Sequence, residues 1–234
     1  MRRKQHASPF STLEIDRGER RQGEITILRI AREGIMYIAI PAVLSVILLY
    51  LGYWPAAVPF VIVSAFMIYF FRDPNRQPPA EPNVVVAPAD GRVTRVDALA
   101  PGSNPSSTLV SIFLSPLDVH INRSPIAGRV TDITYTRGKF LMATDARASL
   151  VNEQNALTIQ GDKVSVVCKQ IAGILARRIV CWKQKDDRVA LGERIGLIKF
   201  SSRTDLVLPE NVKVIVTEGM KVRGGTTIIG RIQP

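Results

Sequence analysis

This chain of 234 residues has few of the side chains on which many sites are built: two histidines and two cysteines. The cysteines, Cys168 and Cys181, form no CxxC pair and cannot make a disulfide framework, which excludes a disulfide-stapled secreted scaffold. They lie on apolar, strand-like runs and read as small core residues. With only His6 and His120 there is no HxxxH pair, and no metal site is expected. Aromatic residues are 6% of the chain, too few for a stacking platform for single-stranded nucleic acid. A Gly-rich phosphate loop, a GxSxG elbow and a P-loop are all missing. Acid is also in short supply: 20 Asp+Glu face 31 Lys+Arg, for a net charge of +11. A chain this basic calls for an anionic partner. At 46% hydrophobic it also has ample material for a packed core.

One segment selects among the anionic partners. From Ile35 to Phe71 there is no Asp, Glu, Lys, Arg or His, and Gly52-Tyr53-Trp54-Pro55 divides the run into two apolar halves. Each half is shorter than the roughly 20 residues that cross hydrocarbon comfortably. Arg29 and Arg32 precede the run and Arg72 and Arg76 follow it. Basic flanks on both sides predict a helical hairpin whose two ends face the cytoplasm, tilted or re-entrant. The competing reading is a buried hairpin of a soluble protein. Residues 1–34 form a basic arm suited to anionic headgroups, or a solvated tail. Residues 72–234 form the remaining domain, entered through the extended connector Gln77-Pro78-Pro79-Ala80-Glu81-Pro82.

That domain predicts strands: Val84–Val86, Arg92–Val96, Thr108–Phe113, Arg129–Tyr135, Ala156–Gln160, Val164–Gln170, Arg194–Phe200, Asp205–Leu208, Lys213–Thr217 and Thr227–Ile232. Short β-branched runs with turn signals between them indicate a mostly β, barrel-sandwich-like domain, β-rich α+β once the N-terminal hairpin is counted. One helix is expected, over about Gly173–Lys183. An internal echo stands out. Pro88-Ala89-Asp90-Gly91-Arg92-Val93-Thr94 recurs 37 positions on as Pro125-Ile126-Ala127-Gly128-Arg129-Val130-Thr131. The turn works with Ala127, so it does not need the carboxylate of Asp90; Asp90 is therefore a candidate for chemistry, the alternative being an acidic turn residue bonding its own backbone. His120 lies where an apolar run enters a Pro-bounded polar segment, a common setting for site residues and an equally ordinary one for a structural histidine. Ser201 and Ser202 stand between two strand-like runs, as hydroxyls in a turn.

Together these segments resemble one family, the short prokaryotic phosphatidylserine decarboxylases. The resemblance is carried, in order, by Phe70-Phe71-Arg72-Asp73-Pro74, Ala87-Pro88-Ala89-Asp90-Gly91, Leu114-Ser115-Pro116-Leu117-Asp118-Val119-His120, Gly138-Lys139-Phe140, Asn152-Glu153-Gln154-Asn155, and Gly192 through Pro209. It implies a self-processing proenzyme. Ser202 Oγ attacks the carbonyl carbon of Ser201, the peptide becomes an ester, and β-elimination leaves dehydroalanine that hydrolyses to a pyruvoyl group and ammonia. The cofactor implied is this covalent pyruvoyl, with no PLP and no metal. Its ketone condenses with the substrate amine and accepts the electron pair released with CO2, as PLP would. The resemblance also implies that His120 assists decarboxylation and reprotonation, and that Asp90 orients or serves as base in self-cleavage.

Large and small chains, Met1–Ser201 and Ser202–Pro234, then come from one precursor. The partners implied are an anionic phospholipid and a membrane, not nucleic acid, and the enzyme is a homo-oligomer, a dimer, on the cytoplasmic face of the prokaryotic inner membrane. In two places this sequence departs from the family. Most short members have Gly where Ser201 stands, and longer members carry a second histidine where Arg123 stands. Two further readings remain beside it. One is a decarboxylase of another serine phospholipid such as archaetidylserine. The other is a non-enzymatic membrane adaptor with a biotinyl/lipoyl-like β domain, for which Val222-Arg223-Gly224-Gly225-Thr226 has the look.

Overall fold

The computed structural model describes residues 29–99, 107–143, 145, 147–174, 178–200 and 202–233. Most of the basic arm, and Ser201, lie outside the described residues. Helices α1 (Ile35–Tyr50) and α2 (Trp54–Phe70) form the hairpin, turning at Gly52 with φ +81°. Small buried residues, Ser45, Ala57 and Ser64, let the helices approach closely, and Ser64 Oγ donates to the Ile38 carbonyl at 3.1 Å. The rest of the hairpin surface is apolar and exposed, from Met36, Ile40 and Val46 on α1 to Val58 and Ile62 on α2. A continuous apolar surface of this kind is unlike the outside of a soluble domain and marks an interaction site. The helix Arg32–Tyr50 is long and apolar enough to cross a membrane, whereas α2 is shorter.

Among the described residues fourteen strands follow: β1 (Val84–Val86), β2 (Gly91–Leu99), β3 (Ser107–Leu114), β4 (Ile121–Arg123), β5 (Gly128–Thr136), β6 (Gln154–Gln160), β7 (Ser165–Ala172), β8 (Ile179–Cys181), β9 (Arg188–Val189), β10 (Arg194–Ile198), β11 (Ser202–Pro209), β12 (Val212–Val214), β13 (Lys221–Val222) and β14 (Ile228–Ile232). A single-turn helix, α3 (Ala148–Val151), precedes β6. The order β13-β2-β3-β11-β7-β6-β5-β9 makes one curled eight-stranded sheet, and β1-β14-β12 and β4-β10-β8 are two three-stranded sheets. The fold is mostly β, barrel-sandwich-like, with N-terminal helices, as the sequence predicts. Residues 175–177 of the helix expected over Gly173–Lys183 lie outside the described residues, and the described part is not helical: β-branched Ile179 and Val180 extend instead as β8, pairing with Ile198 and Leu197 of β10.

The sequence echo is a structural repeat. Gly91 and Gly128 each open a strand where a Cβ would lie 2.0 Å from the Phe113 carbonyl oxygen or 2.3 Å from that of Gln160. A register shift follows in each copy at the same place, between Val93 and Arg95 and between Val130 and Asp132. The copies also clasp each other reciprocally. The Val86 N–H donates to the Pro125 carbonyl at 2.9 Å, and the Arg123 N–H donates to that of Pro88 at 2.8 Å. This local two-fold sets β1 and β2 against β4 and β5 around one apolar core, which includes Val85, Ile112, Leu114, Leu157, Cys168 and Leu206. Burial pushes the Cys168 thiol up to about 12, so it is an inert core residue.

Candidate active site

Strand β11 runs through the middle of the large sheet, bonded to β3 on one side and β7 on the other. Ser202 is its first residue, in register with Leu114 and Ala172, and is fully buried. The serine is therefore not in a turn, because pairing on both flanks extends the strand to it. Alternation along β11 puts Ser202 and Thr204 on the same face as the core residues Leu206 and Leu208. That face is apolar at one end and polar at the other. At the polar end Asn122 donates to Thr204 Oγ1 (3.0 Å), Gln170 donates to Asn122 Oδ1 (2.9 Å) and Asn155 donates to Gln170 Oε1 (3.0 Å). This buried amide ladder is satisfied internally. The Oγ of Ser202 is different: it is buried and has no hydrogen-bond partner among the described residues.

Just upstream, Phe200 sits at φ +58°, in the left-handed region that non-glycine residues avoid. Its ring stacks on Phe70 at 4.7 Å between centroids, and Phe70 lies 4.1 Å from the His120 ring. Packing thus over-determines a backbone twist within two residues of Ser202, the setting in which strain persists at functional sites.

His120 precedes β4, and its carbonyl accepts the Ile198 N–H at 3.4 Å. The side chain is 2% exposed. Nδ1 lies 3.0 Å from the Asp118 carbonyl oxygen, which can only accept, so Nδ1 carries the proton and Nε2 keeps its lone pair. Nε2 is buried without a partner among the described residues. Burial holds the imidazole well below its ordinary range, at about 4, against the raising effect of the Asp118 hydrogen bond. At neutral pH His120 is a neutral base.

Asp90 immediately precedes Gly91. In register, β2, β3 and β11 are neighbours, so Asp90 stands about two strand spacings, roughly 10 Å, from Ser202. Its carboxylate takes both ends of the Arg76 guanidinium, Nη2 at 2.6 Å, and accepts the Gly224 N–H at 2.8 Å. The Gly224 contact ties Asp90 to the segment before β14. Arg123, at the position of the second family histidine, is no base. Its guanidinium is buried and donates to the carbonyls of Gly192 (3.0 Å) and Pro74 (2.8 Å) and to Asp73 (3.3 Å). Asp73 also pairs with Arg194 at 2.6 Å, so the segment that leads from α2 into the connector is pinned against β4 and β10. Burial and neighbouring Arg194 draw the Arg123 guanidinium down to about 10.

The structure gathers Ser202, His120 and Asp90 at one end of the sheet, with no direct hydrogen bond among them. Sequence reasoning did not find the ladder Thr204–Asn122–Gln170–Asn155, the Arg76 partner or the strain at Phe200. The period-2 alternation of Ser202, Thr204, Leu206 and Leu208, not used in the sequence reading, is the one local signal that could have found part of it. Among the described residues no group of His, Cys, Asp and Glu could hold a metal ion.

Comparison with known proteins bears on this arrangement. The family model described as phosphatidylserine decarboxylase matches residues 63–230. A phosphatidylserine decarboxylase proenzyme of Solibacter usitatus (strain Ellin6076) is 44% identical over 204 residues, 87% of this chain and 97% of that protein. Another, from Geotalea uraniireducens (strain Rf4), is 43% identical over 203 residues, covering 86% and 95%. A third, from Pelodictyon phaeoclathratiforme (strain DSM 5477 / BU-1), is 47% identical over 167 residues, covering 71% and 79%.

Proposed function

The chain belongs to the phosphatidylserine decarboxylases, a family of carboxy-lyases, and from that premise we propose that it converts phosphatidylserine to phosphatidylethanolamine and CO2 with a pyruvoyl group made from its own Ser202. The observation that carries the reading is the Ser202 hydroxyl: buried, without a partner among the described residues, at the head of a central strand and two residues after a left-handed Phe200. A buried hydroxyl with no partner is costly to keep, and such an atom calls for a role. The left-handed Phe200 strains the chain leading to the scissile bond, and cleavage between Ser201 and Ser202 frees that chain to relax.

Self-cleavage in this reading begins when Ser202 Oγ adds to the Ser201 carbonyl carbon and the Ser201–Ser202 amide nitrogen leaves as the new amine, giving an ester. Loss of the Ser202 α-proton then expels the ester oxygen as the Ser201 carboxylate. His120, neutral with its Nε2 lone pair free, is the proton acceptor at this end of the sheet. Asp90 acts at a distance, holding Arg76 and the Gly224 backbone so that β2 and the connector stay in register beside β11.

The residues fit a pyruvoyl group. It would be held at the head of β11 by pairing with Leu114 and Ala172, with His120 and Phe70 at its edge. When present it supplies an electrophilic carbonyl that acts as an electron sink for decarboxylation. Around it, this chain excludes water with Phe70 and Phe200, and the neutral His120 accepts and returns a proton at Nε2. Because β11 is bonded along both edges, the chain from Ser202 onward stays seated after cleavage as β11 to β14. The exposed apolar hairpin and its basic flanks support insertion into an anionic membrane with the β domain on the cytoplasmic side.

The test is an intact-mass spectrum of the denatured wild-type protein. Two chains that divide between Ser201 and Ser202 are expected, with a keto group in place of the Ser202 amine at the head of the smaller one. A Ser202→Ala protein that still divides there, or still releases CO2, would refute the assignment.

A further inference from the structure

Among the described residues three cations are buried: Arg123, Arg203 and Lys199. Arg123 has Asp73, and Arg203 has Asp205 at 2.6 Å. Lys199, 9% exposed, has no carboxylate or hydrogen-bond acceptor for its ammonium among the described residues; Nζ instead lies over the Tyr37 ring, 4.9 Å from its centroid. The stem of Lys199 is buried, but its Nζ is not among the buried, unpartnered polar atoms, so the ammonium stays open at the surface, held over one tyrosine face and free to meet an anion.

Tyr37 also belongs to the first turn of α1 and lines an apolar groove with Met36, Ile40, Leu44, Val63 and Met67. The groove is about 470 Å³, inside the roughly 300–1,000 Å³ of small-molecule pockets. It runs along the hairpin away from the β domain, and Ile35 to Leu44 alone rise about 14 Å. At its domain end Tyr37 contacts Phe200, with centroids 5.9 Å apart, and Phe200 stacks on Phe70 beside His120. Serine chemistry, an unpaired cation and an apolar groove therefore follow one another: Ser202 and His120, then Lys199, then Tyr37 and the groove.

We propose that this groove binds one acyl chain of the phospholipid substrate and that Lys199 takes the charge of its phosphodiester. The order of groups in the protein is the order of groups in the lipid: reacting serine headgroup, phosphate, glycerol, hydrocarbon. The inference rests on the decarboxylase reading and adds to it a binding site that selects for a phosphate-linked, chain-bearing serine. An ammonium–phosphate contact of this kind discriminates by about tenfold or more. A chain lying between α1 and α2 also accounts for the groove opening on the face of the hairpin that reaches the site.

The experiment uses the full-length, self-processed enzyme in detergent and compares dioleoyl-phosphatidylserine with dibutyryl-phosphatidylserine, whose chains are too short to reach Leu44. Leu44→Trp fills the groove from α1, and Val63→Trp fills it from α2 should the first variant fold poorly. The expected result is a KM for the dioleoyl lipid that rises about tenfold relative to the dibutyryl lipid. Lys199→Gln should raise KM for both lipids about tenfold, with kcat much less affected, and Lys199→Arg should recover most of the loss. An unmoved ratio of the two KM values in a groove-filled variant that turns over both lipids would overturn the acyl-chain site. Loss confined to kcat in Lys199→Gln would overturn the phosphate role. A wild type that releases CO2 from neither lipid would overturn the decarboxylase reading, and this inference with it; turnover with an unmoved ratio overturns this inference alone.

Discussion

The protonation of His120 offers a demanding test, because the chain holds only one other histidine, His6. A His6→Gln, Ser202→Ala protein should stay unprocessed, on the proposed assignment, and carries a single imidazole. Burial sets its pKa at about 4 against an ordinary 6.5. At pH 7 the charged fraction is then about one in a thousand, where an ordinary histidine would be about one quarter charged. The sign for stability follows from the depressed value. The folded state resists a proton that the unfolded chain accepts, so stability is full above about 6.5, falls as pH drops toward 4, and levels off below that. The total loss from this group is about 3 kcal/mol, and His120→Gln should remove that slope. Long-range proton–nitrogen NMR reads both quantities directly. It should show a neutral ring protonated at Nδ1 down to about pH 5, as the Asp118 carbonyl requires. A midpoint near 6.5, or a ring protonated at Nε2 at pH 7, would refute both the burial argument and the role of Nε2 as a free base.

Other substitutions probe the frame around the site. Asp90→Asn should cost about 3 kcal/mol in chemical denaturation, because the Arg76 guanidinium loses its bidentate partner while still 11% exposed, and self-cleavage should slow. Adding Arg76→Met should recover part of the stability; unchanged stability in the single variant would contradict the clamp. Gln170→Leu orphans Asn122 Oδ1 and Asn155 Nδ2, for a loss of about 1–3 kcal/mol per group, measurable as a lowered melting temperature. Gly91→Ala and Gly128→Ala should both fail to give well-folded protein by thermal denaturation, since each added Cβ would meet a backbone oxygen at 2.0 or 2.3 Å. A folded Gly128→Ala would show that the two copies of the repeat are less alike than their register shifts indicate.

Much of this arrangement is legible in the sequence, for particular reasons. The hairpin shows because a run without any ionisable side chain stays apolar around the whole circumference of its helices. The β class shows because β-branched runs alternate with turn residues, and Val84–Val86 is β1 to the residue. The echo, read only as a turn feeding a strand, marks a two-fold repeat because Gly91 and Gly128 are each forced by a backbone oxygen. The ordered segments from Phe70 to Pro209 identify the family, since specific residue types in sequence order survive where no local physics fixes them.

What stayed hidden depends on partners far along the chain. Local propensity over Gly173–Lys183 suits a helix, but β10 offers Ile179–Cys181 an open edge and the strand forms there. Ser202 reads as a turn hydroxyl until β3 and β7 pair with it on both sides. The Arg76–Asp90 clamp and the ladder from Asn122 to Gln170 join residues on separate strands or a connector, and no spacing in the sequence announces them. His120 is one histidine among polar neighbours until Phe70 closes over it and removes its water. The sequence by itself determined which groups are present and which segments extend, because those depend on neighbours in the chain. Tertiary structure alone decided which of those groups lost water and which lack partners among the described residues, and burial sets the neutral His120 and the unpartnered Ser202 hydroxyl on which the proposed chemistry rests.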